Sequence, residues 1–160
     1  MLCVKLICVG KLRERFYTDA FEEYRKRLGA YCKFDCAELA EEKLPGEPAA
    51  AEIANALKKE AAAIQKNIPK SAYVIALCVE GDTVSSQGFA DIFAGRALSG
   101  RPDICFVIGS SYGLDSDFKK SADRRLSMSE MTFPHHLARV MLAEQIYRAF
   151  KINEGSRYHK

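Results

Sequence analysis

Glu144 and Arg148 stand four residues apart in a stretch, 134–151, that is otherwise almost wholly apolar. Acid before base at this spacing is the order that favours an ion pair on a helix. Charges set among Leu137, Val140 and Met141 are costly unless paired, so the pair either locks an interface or belongs to a site. From spacing alone Arg139 and Lys151 read as solvated positions. The chain then reaches Arg157, Tyr158, His159 and Lys160, which join phosphate-binding charge to rings that can stack on bases. A second constellation, GSSYG at 109–113, follows the apolar run 104–108 and matches G-x-S-x-G. Ser111 would be the nucleophile of a serine hydrolase, with Asp115 or Asp123 and then His135, His136 or His159 following in triad order. Against that reading, a nucleophile elbow turns directly into a helix, whereas Leu114, Asp115, Ser116 and Asp117 read as loop and cap.

No G-x-G-x-x-G follows the first strand and no G-x-x-x-x-G-K-[ST] occurs, so a Rossmann dinucleotide site and a P-loop are unsupported. What remains are loops at 77–81, 109–113 and 126–131, each after a strand. Open parallel sheets bind ligands where strand ends give way to glycine-rich backbone, because the amides are free and no Cβ blocks approach. If the strands are neighbours, the loops line one pocket of backbone amides and carbonyls suited to an adenine ring and its ribose.

The elements that must position these groups alternate. Apolar patterning predicts strands over 2–10, 32–39, 73–79, 104–108 and 125–128, and helices over 14–28, 49–68, 85–98, 115–121 and 134–151. In the first helix Phe16, Ala20, Tyr24 and Leu28 form the expected apolar stripe. The acidic 41–48 stretch is the one expected flexible connection. Alternation of this kind means an α/β domain with a mainly parallel sheet, and the uniformly apolar 73–79 run calls for helices on both faces. The last helix lacks a clean polar face, so a second copy of the chain is expected to cover part of it, as a homodimer.

The 160 residues, 48% hydrophobic and 28% charged, suit one domain spanning 1–160. No run is long enough for a membrane helix and the first ten residues have no signal-peptide character, so a cytoplasmic protein is expected. Six cysteines occur without a C-x-x-C pair and read as reduced, buried thiols; no Cys/His spacing suggests a metal. The net charge of +3 is unevenly spread: 1–33 and 117–160 each carry +4, and 34–60 carries −4. So weak a balance does not coat nucleic acid by itself, but a basic terminus beside a pocket can place a phosphate backbone there.

Several short segments, taken in order, resemble one family closely. They are Val9-Gly10-Lys11; Cys78 to Gly81 with Ser85 and Ser86; Phe106 to Gly109 with Gly113 and Leu114; Leu126 to Ser129; Met131 to His135; Arg139 and Val140; Glu144 to Ala149; and Tyr158 with His159. The family is that of the ribosomal RNA large-subunit methyltransferase H enzymes, the pseudouridine N3-methyltransferases of the SPOUT superfamily. The resemblance runs end to end. It implies a C-terminal trefoil knot, a homodimer, S-adenosylmethionine as donor, and a pseudouridine of 23S rRNA in the assembled ribosome as acceptor. By position it implies cofactor binding by Leu77, Gly109, Leu126, Ser127, Met128, Ser129, Glu130 and Met131. Arg139, Arg157, Tyr158 and Lys160 are the expected substrate contacts, and because the acceptor N3 must lose a proton, His159, Glu144 and Arg148 are the candidates for the chemistry. Relatives commonly have a second glycine where Ser110 stands. The competing classes are the hydrolase already described and a ribosome-binding module that kept the fold without the cofactor.

Overall fold

Strand β4 (Ile104–Ile108) is buried at every position, and its place in the sheet explains why. The computed structural model, which describes residues 1–159, sets β4 between β1 (Cys3–Val9) and β3 (Tyr73–Thr83). Outside these lie β2 (Lys33–Leu39) and β5 (Arg124–Ser127), in the order β2-β1-β4-β3-β5, every pairing parallel. Parallel neighbours require crossovers, and the alternating helices supply them. They are α1 (Arg15–Leu28), α2 (Ala50–Asn67), α3 (Ser86–Leu98), α4 (Ser116–Ser121) and α5 (His135–Asn153).

Because successive side chains of a strand point to opposite faces, each central strand feeds two cores. Val4, Leu6, Ile104 and Phe106 pack with Phe21 and Leu28 of α1, Phe89 and Phe93 of α3, and Leu142 and Ile146 of α5. Ile7, Val9, Cys105 and Val107 pack on the other side with Ile64 of α2 and Phe118 of α4. The sheet therefore has helices on both faces, as expected. All six cysteines are free, and burial pushes the thiols of Cys32 and Cys105 up to about 12, which leaves them inert.

Two expectations are corrected, and a third loses one of its grounds. The inward stripe of α1 runs through half-buried Tyr17 and Tyr24 and buried Phe21 and Leu28, while Phe16 is 67% exposed. At about 100° per residue, Tyr17 lies roughly 20° from Leu28 around the helix and Phe16 roughly 120° away. Helix α5 receives cover within its own chain, lying against α1 and α3, with Tyr158 packed edge-on to Tyr147 at 5.1 Å. Its apolar circumference thus does not by itself demand a partner.

Arg139 is the second correction, for it is neither solvated nor open to substrate. It is 1% exposed, with Nη1 donating to Glu38 Oε2 at 2.5 Å and Nη2 to the Gly10 carbonyl at 2.9 Å. The Leu12 amide donates to the same carboxylate oxygen at 3.0 Å, so one ion pair joins α5, β2 and the turn after β1. Burial alone would raise the Glu38 carboxyl, but the hydrogen bonds from Arg139 and Leu12 and the Arg139 charge hold it below its ordinary value. A depressed carboxyl stabilises the fold above its unfolded value, and that contribution is lost as pH falls through the folded one. Arg139→Met, which keeps the apolar stem, is expected to cost about 2 kcal/mol at neutral pH and less in acid. That is below the ~3–5 kcal/mol of a fully buried pair because Glu38 keeps 36% of its side chain exposed. Urea unfolding at both pH values checks this, and equal stability at neutral pH would remove the anchoring role.

Candidate cofactor site at the strand ends

All five strands point the same way, so the loops after β3, β4 and β5 emerge at one rim. Between them lies a cavity of about 750 Å³, within the range of small-molecule sites. Leu77, Gly109, Leu126, Ser127, Met128, Ser129 and Met131 all line it; Glu130, expected with them, is exposed and is not part of the lining. Of the six large hydrophobic side chains left exposed among the described residues, Val79, Tyr112 and Met131 belong to this cavity. Apolar surface gathered around a concavity in this way marks a place that a ligand covers.

Two close backbone approaches shape the walls. Strand β3 pairs with β5 up to Leu77↔Leu126 and resumes at Asp82↔Leu126, so 78–81 bulges out of the ladder. At Gly81 a Cβ would stand 2.7 Å from the backbone of Leu126, so the bulge lies flat on β5 only because no side chain intervenes. The loop after β4 closes as a turn, the Gly113 amide donating to the Ser110 carbonyl at 2.8 Å. A Cβ on Gly109 would stand 2.2 Å from the Gly113 carbonyl oxygen. Gly113 is needed for a different reason, its φ of +85°, and has open space around it.

Ser110, the departure from the family pattern, fits without a positive φ. Its hydroxyl donates to Glu60 Oε1 at 3.0 Å, while Glu60 Oε2 accepts from the Glu42 amide at 2.9 Å. Glu60, on α2 and 5% exposed, therefore ties the cavity loop to the acidic 41–48 stretch, which was expected to hang free. Burial raises its carboxyl, the neighbouring charges of Glu41 and Glu42 add to this, and the two hydrogen bonds only partly oppose it.

The groups nearest the cavity are electrically quiet. Lys119 and Glu80 pair with each other, which lowers the Glu80 carboxyl. Burial and the adjacent His136 lower His135, so its imidazole is neutral at neutral pH. Burial raises the Cys78 thiol, which rules it out as a ready nucleophile. Ser111 donates to Glu41 Oε1 at 3.3 Å and has no histidine partner among the described residues. Its loop leads into a bridge and Asp115-capped α4, so the hydrolase geometry is missing. Among the described residues no three His, Cys, Asp or Glu side chains gather as metal ligands, and no helix is long and apolar enough to cross a membrane.

The Glu144 group forms a separate cluster. Arg148 Nη2 donates to Glu144 Oε1 at 2.5 Å, and Gln145 Nε2 and the Tyr158 hydroxyl donate to the same carboxylate at 2.8 and 3.3 Å. The Arg148 guanidinium lies over the Tyr158 ring at 4.9 Å, with His159 Nδ1 3.4 Å from its Nη1. Arg157 is exposed, and Lys160 lies outside the described residues. The cavity touches α5 at His135 and Ala138, and Arg148 lies ten residues further, about 15 Å along the axis. One chain therefore keeps its cavity and this cluster apart. Strand-end reasoning also missed Thr132, Phe133, His135 and Ala138 in the cavity wall. Their signal was Pro134 at a helix entry immediately after a cavity loop.

Two measurements test these roles. Gly109→Ala should lower stability by about 1–3 kcal/mol through overpacking, while Gly113→Ala should cost about 1–2 kcal/mol through φ strain alone; a Gly109→Ala protein melting with wild type would refute the backbone contact. Glu60→Gln should match wild type in acid and melt higher at neutral pH. A carboxyl raised by folding favours the fold below its unfolded value and loses that advantage as pH rises through the folded one. A difference in melting temperature that does not vary with pH would contradict this.

Residues 2–159 match the family described as predicted SPOUT methyltransferase. Ribosomal RNA large subunit methyltransferase H of Streptococcus pyogenes serotype M5 (strain Manfredo) is 46% identical over 157 residues, covering 98% of this chain and 99% of that one. The protein of the same name from serotype M12 (strain MGAS2096) aligns equally well, at 46% over 157 residues. Among solved structures, a probable methylase family protein of Haemophilus influenzae Rd KW20 superposes with a TM-score of 0.54 at 12% identity, covering 98% of this chain and 70% of that one. The tRNA (m1G37) methyltransferase of Aquifex aeolicus gives 0.54 at 12% identity, with 91% and 69% covered. The parallel sheet, the cavity at its strand ends and the near-complete match to these relatives together place the chain in the SPOUT methyltransferase family, among the large-subunit ribosomal RNA methyltransferases H.

Proposed function

We propose that this protein methylates N3 of a pseudouridine in 23S rRNA of the assembled ribosome, using S-adenosylmethionine, as a cytoplasmic homodimer. The observation that carries the reading is one cavity shared by the loops after β3, β4 and β5, in a chain 46% identical to ribosomal RNA large subunit methyltransferase H. The residues present suit the cofactor: a mostly apolar hollow with backbone exposed at Gly109 and no unpaired charge, fitted to an adenosine and a short polar tail. Leu77, Gly109 and Leu126 to Ser129 with Met131 would hold it. When bound, S-adenosylmethionine supplies a sulfonium methyl open to in-line displacement, for which alignment of the acceptor provides much of the acceleration.

The chain's own task is to place the acceptor and manage its proton. An imide N3 must lose a proton, and the anion that results needs a nearby cation. Glu144 offers a carboxylate, and its hydrogen bond keeps Arg148 firmly charged. His159 stands beside that guanidinium. These groups serve the reaction if the cavity of one protomer faces the Tyr158 and His159 tail of the other, which makes the dimer part of the active site.

Deletion of 157–160 should therefore abolish methylation while leaving cofactor affinity unchanged. Mass spectrometry of 23S rRNA from ribosomes incubated with protein and isotopically labelled donor reads the first, and calorimetry the second. Full activity in the truncated protein would reject the role of the tail, and an unlabelled 23S rRNA with the intact protein would reject the activity.

A further inference from the structure

The rim that carries the cavity also carries the end of β1, where Gly10 turns the chain outward at φ +102°. Lys11, Arg13 and Arg15 follow, all exposed, and then Phe16, whose ring the packing of α1 leaves in solvent. That ring is not isolated. Its centroid is 4.3 Å from that of Tyr17, Tyr17 stands edge-on to His136 at 6.2 Å, and His136 is 4.1 Å from His135. His135 lines the cavity, so a line of rings runs from the solvent to the cavity wall.

Two carboxylates around this line are engaged, Glu38 with Arg139 and Glu41 with Ser111, and Glu14 stands 3.6 Å from His136. Arg15 lies 3.6 Å from Asp19, but both are largely exposed, and such a pair is readily exchanged for another anion. Lys11 and Arg13 have no salt-bridge partner within 4.0 Å among the described residues. Exposed rings interleaved with cations are how single-stranded nucleic acid is held: bases stack on the rings while phosphates meet the charges. Neither feature alone would single out this occupant; the continuity of the rings into the cavity does.

We propose that the β1–α1 segment is a stacking ramp for single-stranded RNA. Bases beside the acceptor nucleotide stack on Phe16, and Lys11 and Arg13 take the flanking phosphates. This rests on the reading of the protein as an rRNA methyltransferase and adds the surface that leads the strand to its cavity.

The test compares Phe16→Ala, the Lys11→Ala/Arg13→Ala double variant and wild type as full-length proteins. Binding to a fluorescently labelled single-stranded RNA and to large ribosomal subunits is measured across a salt series, with S-adenosylmethionine calorimetry and sedimentation alongside. Phe16→Ala should weaken RNA binding roughly five- to a hundredfold with an unchanged salt slope. The double variant should flatten the log-log salt slope by about 1.4, two phosphates at 0.7 each. Cofactor affinity and sedimentation should stay as in wild type for both. Unaltered RNA affinity overturns the proposal, and so does a change in sedimentation for Phe16→Ala, which would make the ring a contact between copies of the chain. RNA binding is read without turnover, so a wild-type protein that needs Phe16 to bind RNA yet methylates none supports the ramp while refuting the catalytic reading.

Discussion

Backbone lying directly on backbone, with no side chain between, is the constraint on which the rim of this sheet depends. At Gly81 the bulge of β3 presses on Leu126, and at Gly109 the loop after β4 folds onto the Gly113 carbonyl. A Cβ at either position would force the wall outward. Because β3 lies between β4 and β5, these contacts fall side by side and their loops share one cavity. The hydrogen bond from Ser110 to Glu60 holds the same loop from the α2 side. A rigid frame suits methyl transfer, where small misplacements of the reacting atoms are costly.

Helix α5 carries two guanidinium–carboxylate pairs that physical chemistry sorts into different tasks. Arg139 and Glu38 are 101 residues apart in sequence, and their pairing fastens α5 across β2 and the turn at Gly10. Arg148 and Glu144 are one helical turn apart and could pair in an isolated helix. Their pairing therefore adds little to the fold. What it does is hold a carboxylate and a cation together at a partly exposed position, with Tyr158 and His159 folded over them. The first pair is structural, while the second keeps a carboxylate and a cation at the surface beside the C-terminal tail.

The alternation of strands and helices was legible because it rests on local periodicity, and helix and strand ends agree with expectation within a few residues. The cavity loops were legible for a related reason: in a parallel sheet every strand ends at the same rim. Phe16 was misplaced because a strict four-residue spacing drifts off a 3.6-residue helix over three turns. Arg139 was misread because nothing local distinguishes a solvated arginine from one whose partner arrives from β2. Glu130 was carried along by a contiguous run, although alternate residues of an extended segment need not face the same way. The knot expected of the family is a property of how the whole chain threads, and periodicity carries no trace of it.

Sequence by itself determined what depends on neighbours along the chain: the α/β alternation, the ion-pair spacing of Glu144 and Arg148, the glycines at strand ends and, through its motifs, the family. Tertiary structure alone decided what depends on residues far apart. It buried Arg139 against Glu38, set Glu60 under Ser110, brought His135 into the cavity wall and left Phe16 outside. The physical reason is that burial and charge pairing are settled by which segments meet in space. Side chains of one type, such as the arginines at 139 and 148, end in opposite surroundings, one buried and one partly exposed.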